Sequence, residues 1–217
     1  MFVIKPIGGL CNYLRVILSY NQLAKKYNEK LLVHWEVTPE CNGKFHDYFL
    51  DVIPNVQIVY EYSGTYNYKG YSIYENLFPD FTHIKPTNSI NKKINDFVNN
   101  KEFIAIHVRR TDHTKLMKKE NKIPTSDEDF FNFCDNSTLP IFLATDSIDT
   151  QRKFIEKYGD RILFWEKLKK KKVLRKTELE IAVLDLFTCV LAKEFKGSYY
   201  SSFSDTILQI RNEVLPY

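Results

Sequence analysis

Apolar residues fall along this chain in two alternating patterns. Short, nearly unbroken apolar runs at 1–7, 30–36, 56–60, 103–108, 139–145, 161–165 and 196–200 predict strands, most of them buried on both faces. Stretches with apolar positions three or four apart, at 13–27, 45–53, 89–99, 127–134, 149–158, 178–195 and 206–215, predict helices. From residue 103 onward strand and helix alternate, which predicts a parallel α/β sheet with crossover connections. The pattern blurs between 61 and 86, where six tyrosines lie between Tyr60 and Tyr74. Such a segment either stacks on a sugar or packs against the fold, and periodicity does not choose. Polar residues and Pro86-Thr87-Asn88 punctuate 86–100 and mark it as the boundary or crossover.

With 217 residues, 44% of them hydrophobic, the chain can build one large α/β domain or two small ones. The formal charge of +4 owes much to the run Lys169-Lys170-Lys171-Lys172, which reads as a solvated loop. Neither a zinc-finger spacing nor an RNA-recognition signature is present, so no nucleic-acid partner is expected. Cys11, Cys41, Cys134 and Cys189 are far apart with no Cys-x-x-Cys, as expected of reduced thiols in a cytoplasmic protein. The sequence opens directly on a strand and holds no long apolar run, so neither a signal peptide nor a membrane segment is expected.

The chemistry gathers at strand ends. The run Phe103-Ile104-Ala105-Ile106-His107-Val108 stops abruptly at Arg109-Arg110-Thr111-Asp112. Ligands of open α/β sheets bind at the carboxyl ends of strands, and two guanidinium forks there suit a diphosphate. A surface arginine pair neutralised by Asp112 is the plainer reading. After the first strand, Gly8-Gly9-Leu10-Cys11-Asn12 leads into a helix; it either cradles an anion or is a tight turn that needs positive φ at one glycine. Two further strand ends are polar: Ala144-Thr145-Asp146-Ser147 and Ser201-Ser202-Phe203-Ser204.

Together these strand ends, and above all the complete His-x-Arg-Arg-x-Asp at 107–112, resemble the GDP-fucose-dependent fucosyltransferases. That group holds the α1,6-fucosyltransferases, the nodulation fucosyltransferases and the protein O-fucosyltransferases. The resemblance is strongest over 103–217. It implies a GT-B-like α/β fold of two facing Rossmann-like halves with parallel sheets: a reduced N-terminal half at 1–95 on the acceptor side, and a C-terminal half at 96–217 that binds the GDP-sugar. It implies GDP-fucose as donor, a glycan as acceptor and no cofactor. Arg109 and Arg110 would hold the β-phosphate, His107 would sit by the nucleotide and Asp146 would approach the guanosine. Asp185 would read the guanine edge, Ser201 and Ser202 would donate to phosphate, and Asn12 with the Gly8-Gly9 backbone would face the diphosphate. Taken singly, His107 also reads as a packed core histidine, Ser201 and Ser202 as a helix cap, and Asp185 as the partner of a structural arginine or as a helix cap.

The sequence also departs from the family pattern. Cys11 and Tyr13 stand where a glycine and a polar or basic residue are usual, and Met117 stands where the α1,6 enzymes carry a catalytic glutamate. Asp112 ranks first among substitutes for the general base, ahead of Glu36 and Glu120. Asp127-Glu128-Asp129 spells the metal-binding Asp-x-Asp of many glycosyltransferases, but behind Ser126 it reads as a capped helix start, and no metal site is expected. An inverting, metal-independent fucosyl transfer is therefore expected. Use of another GDP-sugar, or an inactive nucleotide- or glycan-binding module, are the alternatives.

Overall fold

A computed structural model describes residues 1–75, 77–111, 117–166 and 178–214. The Lys169–Lys172 run and Asp112 lie outside them. Among the described residues eight strands form two four-stranded sheets, every pairing parallel. The first sheet orders β1 (Phe2–Pro6), β2 (Leu31–His34), β3 (Val56–Val59) and β4 (Tyr68–Gly70) as β3-β2-β1-β4. The second orders β5 (Ile104–Val108), β6 (Ile141–Thr145), β7 (Ile162–Leu163) and β8 (Glu194–Gly197) as β7-β6-β5-β8. The two halves therefore repeat one topology: the chain starts in the middle, steps outward twice, then returns to the other side of the starting strand. Such a reversal point is where open α/β sheets bind ligands. In the second half it falls between β5 and β8.

Strand β5 shows why its residues are almost all apolar. Ile104, Ile106 and Val108 face one layer with Phe130 and Cys134 of α4 (Asp127–Asp135) and Phe154 of α5 (Ile148–Tyr158). Phe103 and Ala105 face the opposite layer, which includes Leu184, Phe187 and Cys189 of α6 (Leu179–Leu191) and Ile207 and Ile210 of α7 (Ser202–Val214). That second layer continues into the N-terminal half through α1 (Leu10–Lys26), which packs against α6 and α7. Helix α3 (Asn88–Val98) also packs on α6, so the expected boundary at 95/96 falls inside a helix that rests on the C-terminal half.

The N-terminal half is lean. A 17-residue helix joins β1 to β2, but a single turn, α2 (Phe45–Tyr48), stands between β2 and β3, and β3 reaches β4 without a helix. The predicted helix over 45–53 stops because Phe49 turns extended and bridges Pro86. Tyrosines cover the sheet face that lacks helices. The Tyr66 hydroxyl lies 2.6 Å from Nδ1 of buried His34 with the two rings nearly parallel, and Tyr62 leans on both. The aromatic segment is thus largely packing, and it contains β4, which its charged and glycine residues hid.

Boundaries shift elsewhere for local reasons. Helix α6 ends at Leu191 rather than 195, because Glu194–Gly197 forms the edge strand β8. Helix α7 begins at Ser202 rather than 206. The guanidinium of Arg211 on α7 donates to the carbonyls of Cys189, at 3.3 Å, and Val190, at 2.8 Å, as well as Ala192 and Lys193, satisfying the end of α6. None of the four cysteines is in a disulfide and all are buried. Among the described residues no helix is long and apolar enough to cross a membrane.

Two outcomes follow from this packing. Arg211→Met should lower the free energy of unfolding by about 1.5–3 kcal/mol, the range for charge-assisted hydrogen bonds, measured by denaturant titration; an unchanged midpoint would contradict the capping role. Burial pushes the thiols of Cys11, Cys41 and Cys134 up to about 12 by disfavouring the thiolate. Iodoacetamide at pH 8 should therefore leave these three unmodified in the native protein and alkylate them after denaturation, as read by mass spectrometry.

Candidate active site

The site grows from the end of β5. Val108 is fully buried, and the next three residues emerge at the sheet edge. Two arginines so placed repel one another unless carboxylates hold them. Asp146, at the end of neighbouring β6 and 7% exposed, meets Arg109 Nη1 at 2.9 Å, accepts the Arg110 backbone N–H at 2.8 Å and accepts the Thr111 hydroxyl. Asp127, the first residue of α4, meets Arg110 Nη2 at 2.7 Å and also binds Lys153. Burial raises the Asp127 carboxyl, but hydrogen bonds from Lys153 and Arg110 outweigh it and hold the group below the usual carboxylate range. Arg110 further donates to the Arg109 carbonyl at 3.2 Å and lies over the Phe130 ring. Arg109, Arg110 and Lys153 are thus drawn to two carboxylates, Asp146 and Asp127, at this strand end.

Strand β8 and helix α7 complete the edge. Ser198 accepts the Arg109 backbone N–H at 2.9 Å and donates to the His107 carbonyl at 3.1 Å, which pins the end of β8 to the end of β5. His107 lies against α7: Nδ1 is 2.7 Å from the Ser204 hydroxyl, and its ring rests on Phe203 at 4.6 Å. A Cβ on Gly197 would lie 2.5 Å from that of Ser204, so glycine is what lets α7 approach β8 so closely. Ser201 is buried and caps α7, accepting the Ser204 N–H at 3.5 Å, and Ser202 is half-buried in the first turn. Ser201 thus takes the amides of Ser204 and Asp205, and a helix N-terminus at this edge favours an anion.

In the other half, Gly8 adopts φ +96°, the positive φ the turn required, and a Cβ there would meet Asn12 Nδ2 at 2.8 Å. Gly9 has open space where a side chain would be, at the N-terminus of α1. Asn12 is half-buried in the first turn of α1. Cys11 and Tyr13, the departures in this loop, are core residues. Tyr13 is fully buried, edge-on to Trp35, and donates to the Glu36 carbonyl at 3.1 Å.

The expected site residues divide accordingly. Arg109, Arg110, His107, Ser201 and Ser202 lie at one edge, with Asp146 beneath the arginines as the group that positions them. His107 and Ser201 have the packed and capping geometry that their plainer readings describe. Asp185 is buried on α6 at 7% exposure. Glu36 is paired with Lys5 at 2.7 Å, and hydrogen bonding from Lys5 is the main cause that holds its carboxyl low, so it is a weak base. Glu120 is exposed, and Met117 is wholly buried. Among the described residues no group of His, Cys, Asp and Glu is arranged to hold a metal. Sequence reasoning gave no site role to Asp127, Lys153, Ser198 or Ser204, although Asp127 and Ser204 lie in motifs it singled out. The capping box of Ser126 with Asp129 made Asp127 look like ordinary first-turn charge. Gly197-Ser198, a small pair at a strand end, was the visible signal for the β8 contribution.

Two parallel sheets of repeated topology, joined through helices and carrying their polar ends on β-strand termini, make this a GT-B-like α/β protein. Solved structures of similar fold include NodZ, an α1,6-fucosyltransferase, soaked with GDP-fucose, at TM-score 0.66 and 13% identity over 96% of this chain and 92% of that one. POFUT1 in complex with GDP matches at TM-score 0.66 and 12% identity over 99% and 96%. The fucosyltransferase NodZ from Bradyrhizobium matches at TM-score 0.62 and 13% identity over 95% and 91%. No family model and no curated protein sequence matches the chain.

Asp146→Ala should destabilise the fold by about 2–3 kcal/mol, below the range for a fully buried pair because Arg109 keeps part of its side chain in water. Asp146→Asn should recover part of that loss. Equal melting of wild type and both variants would show that the arginines are held by something else.

Proposed function

We propose that the chain transfers fucose from GDP-fucose to a hydroxyl of a glycan, with inversion at C1 and without a metal ion. The observation that carries this reading is the pair Arg109 and Arg110, held by Asp146 and Asp127 at the end of β5 and flanked by the α7 N-terminus. The shared fold with fucosyltransferases solved with GDP or GDP-fucose supports it.

In this reading the acceptor oxygen attacks fucose C1 as the bond from C1 to the β-phosphate oxygen breaks. GDP leaves with new negative charge on that phosphate, where the two guanidinium groups stabilise it. They are already anchored, so little reorganisation accompanies the charge, and that is the source of their effect. Ser202 and the α7 N-terminus add donors to the phosphates, and the Gly8-Gly9 turn and Asn12 close on the diphosphate from the other half. Asp185 accepts from the N1 and N2 donors of guanine, which selects guanine over uracil. Asp112 takes the acceptor proton; it lies outside the described residues. A nucleotide- or glycan-binding module without turnover is the second reading, favoured by the burial of Met117 and by the pairing of Glu36 with Lys5.

Calorimetry without added metal should show micromolar binding of GDP and GDP-fucose and none of UDP, and Arg110→Ala should abolish it. With an acceptor, turnover in Arg109→Ala or Arg110→Ala should fall by at least ~10²–10³-fold and be insensitive to EDTA. Equal binding of UDP, or near-wild-type turnover in either variant, would sink the fucosyl-transfer reading; binding of GDP with no turnover on any glycan would leave the module.

A further inference from the structure

Asp205, in the first turn of α7, lines a cavity of about 400 Å³ together with Lys196, Ser198 and Ser204 at the end of β8. The fucosyl-transfer reading puts the diphosphate here, against Ser202 and the α7 N-terminus. A carboxylate is out of keeping with that ligand. With the site empty it is stabilised by the positive end of the helix, as any first-turn acid is. With a diphosphate bound it faces like charge across a half-buried wall. Holding phosphate beside such a group calls for a cation that answers it.

That cation comes from the other half. Arg15 lies on α1, one turn beyond Cys11 and Asn12, and α1 packs against α7. Burial raises the Asp205 carboxyl, and the charge of Arg15 opposes that rise. Burial also raises the Cys11 thiol, and the charges of Arg15, Asp205 and Arg109 all act on it. The first two turns of α1, the first turn of α7 and the end of β5 thus meet around one buried sulfur. Other arginines are committed within the fold: Arg109 and Arg110 to Asp146 and Asp127, Arg161 and Arg211 to backbone carbonyls. Arg15 is half-buried, and among the described residues its Nε is buried and unpaired. A buried guanidinium nitrogen without a partner is costly, so it calls for a ligand that can accept from it. Lys196, in the cavity wall, and Lys122, 3.2 Å above the Tyr200 ring, are nearby cations of the C-terminal half. Arg15 is supplied across the seam between the halves.

We infer that Arg15 and Asp205 form a pair, one member from each half, that sets how tightly the diphosphate is held: Arg15 donates to a phosphate oxygen, and Asp205 competes for the same guanidinium and weakens that hold. The inference rests on the GDP-sugar reading and adds to it how the product leaves. GDP carries one more ionised phosphate oxygen than GDP-fucose, so repulsion from Asp205 weighs more against product than against donor. Product release sets the turnover of many enzymes, and a carboxylate at the phosphate subsite acts on that step.

The test is a titration of the full chain, without metal, with GDP and GDP-fucose by calorimetry and with guanosine by saturation-transfer NMR. The variants are Arg15→Gln, Asp205→Asn and the two combined. Arg15→Gln should weaken GDP about 10–100-fold, the range of one charge-assisted hydrogen bond. Asp205→Asn should tighten GDP about threefold or more, and GDP-fucose by less, and in the Arg15→Gln background it should recover part of the loss. Guanosine should stay within about twofold throughout, which a mere packing defect would not allow. Unchanged GDP affinity in Arg15→Gln, a parallel loss of guanosine, or weaker GDP binding in Asp205→Asn would overturn the pair. Asp205→Asn is nearly isosteric and decides alone if Arg15→Gln does not fold, since a carboxylate that only stabilises the helix start gives no gain in affinity when removed. A wild type that binds no GDP sinks the donor reading itself; a wild type that binds GDP, with the variants unchanged, sinks the pair alone.

Discussion

The structure turns on the carboxylate of Asp146. A strand buried on both faces can end in two adjacent guanidinium groups only if the repulsion between them is answered close by, in a place that water scarcely reaches. Asp146 answers it from the neighbouring strand, taking Arg109 through its side chain and Arg110 through its backbone. The Arg110 side chain is thereby left to Asp127. The parallel register that sets Val108 beside Thr145 is what brings the next residues of β5 and β6 to this meeting. Apolar packing along β5 and β6 thus sets the register, and the register sets the electrostatics.

The same dependence explains why the two halves differ in thickness without differing in topology. The C-terminal half has helices on both faces of its sheet, which keeps its strand ends dry enough for ion pairs to matter. The N-terminal half contributes glycine backbone and the start of one long helix, and a single buried helix on the inner face is enough to fix those. Its outer face is closed by Tyr62 and Tyr66 against His34. Helix α1 belongs to both halves in packing terms, since it lies on α6 and α7 as well as on its own sheet. Gly8 and Gly9 are therefore positioned by contacts with the half that carries the arginines.

What was legible in the sequence followed burial. Strands β2, β5 and β6 are buried throughout and β1 over three of its five residues, and a buried strand is written mostly in apolar residues. Of the edge strands, β3 and β7 were read, while β4 and β8 escaped or were misplaced for the opposite reason: β8 has no fully buried residue and β4 is three residues long, one of them a lysine. Arg109 and Arg110 stood out because charge interrupts a run abruptly there. Asp127 did not, because a carboxylate after a serine is what any helix start looks like, and its partnership with Arg110 is a contact across 17 residues that no local pattern records. His107 was ambiguous in the sequence for a physical reason too: packed histidines and ligand histidines both sit among apolar neighbours, and the Ser204 hydroxyl that receives this one is 97 residues away.

The chain's two tryptophans divide evenly between the halves. Trp35 is fully buried at the end of β2, with its indole N–H on the Gly43 carbonyl at 2.9 Å. Trp165 follows β7, stacked on Phe97 at 4.1 Å with its N–H on the Thr188 hydroxyl. Each indole is thus an intrinsic fluorophore with a separate address. One core layer runs continuously through α1, α6 and α7, so the emission of Trp35 alone and of Trp165 alone must report a single cooperative transition. A chain built as two independently folding units would give two.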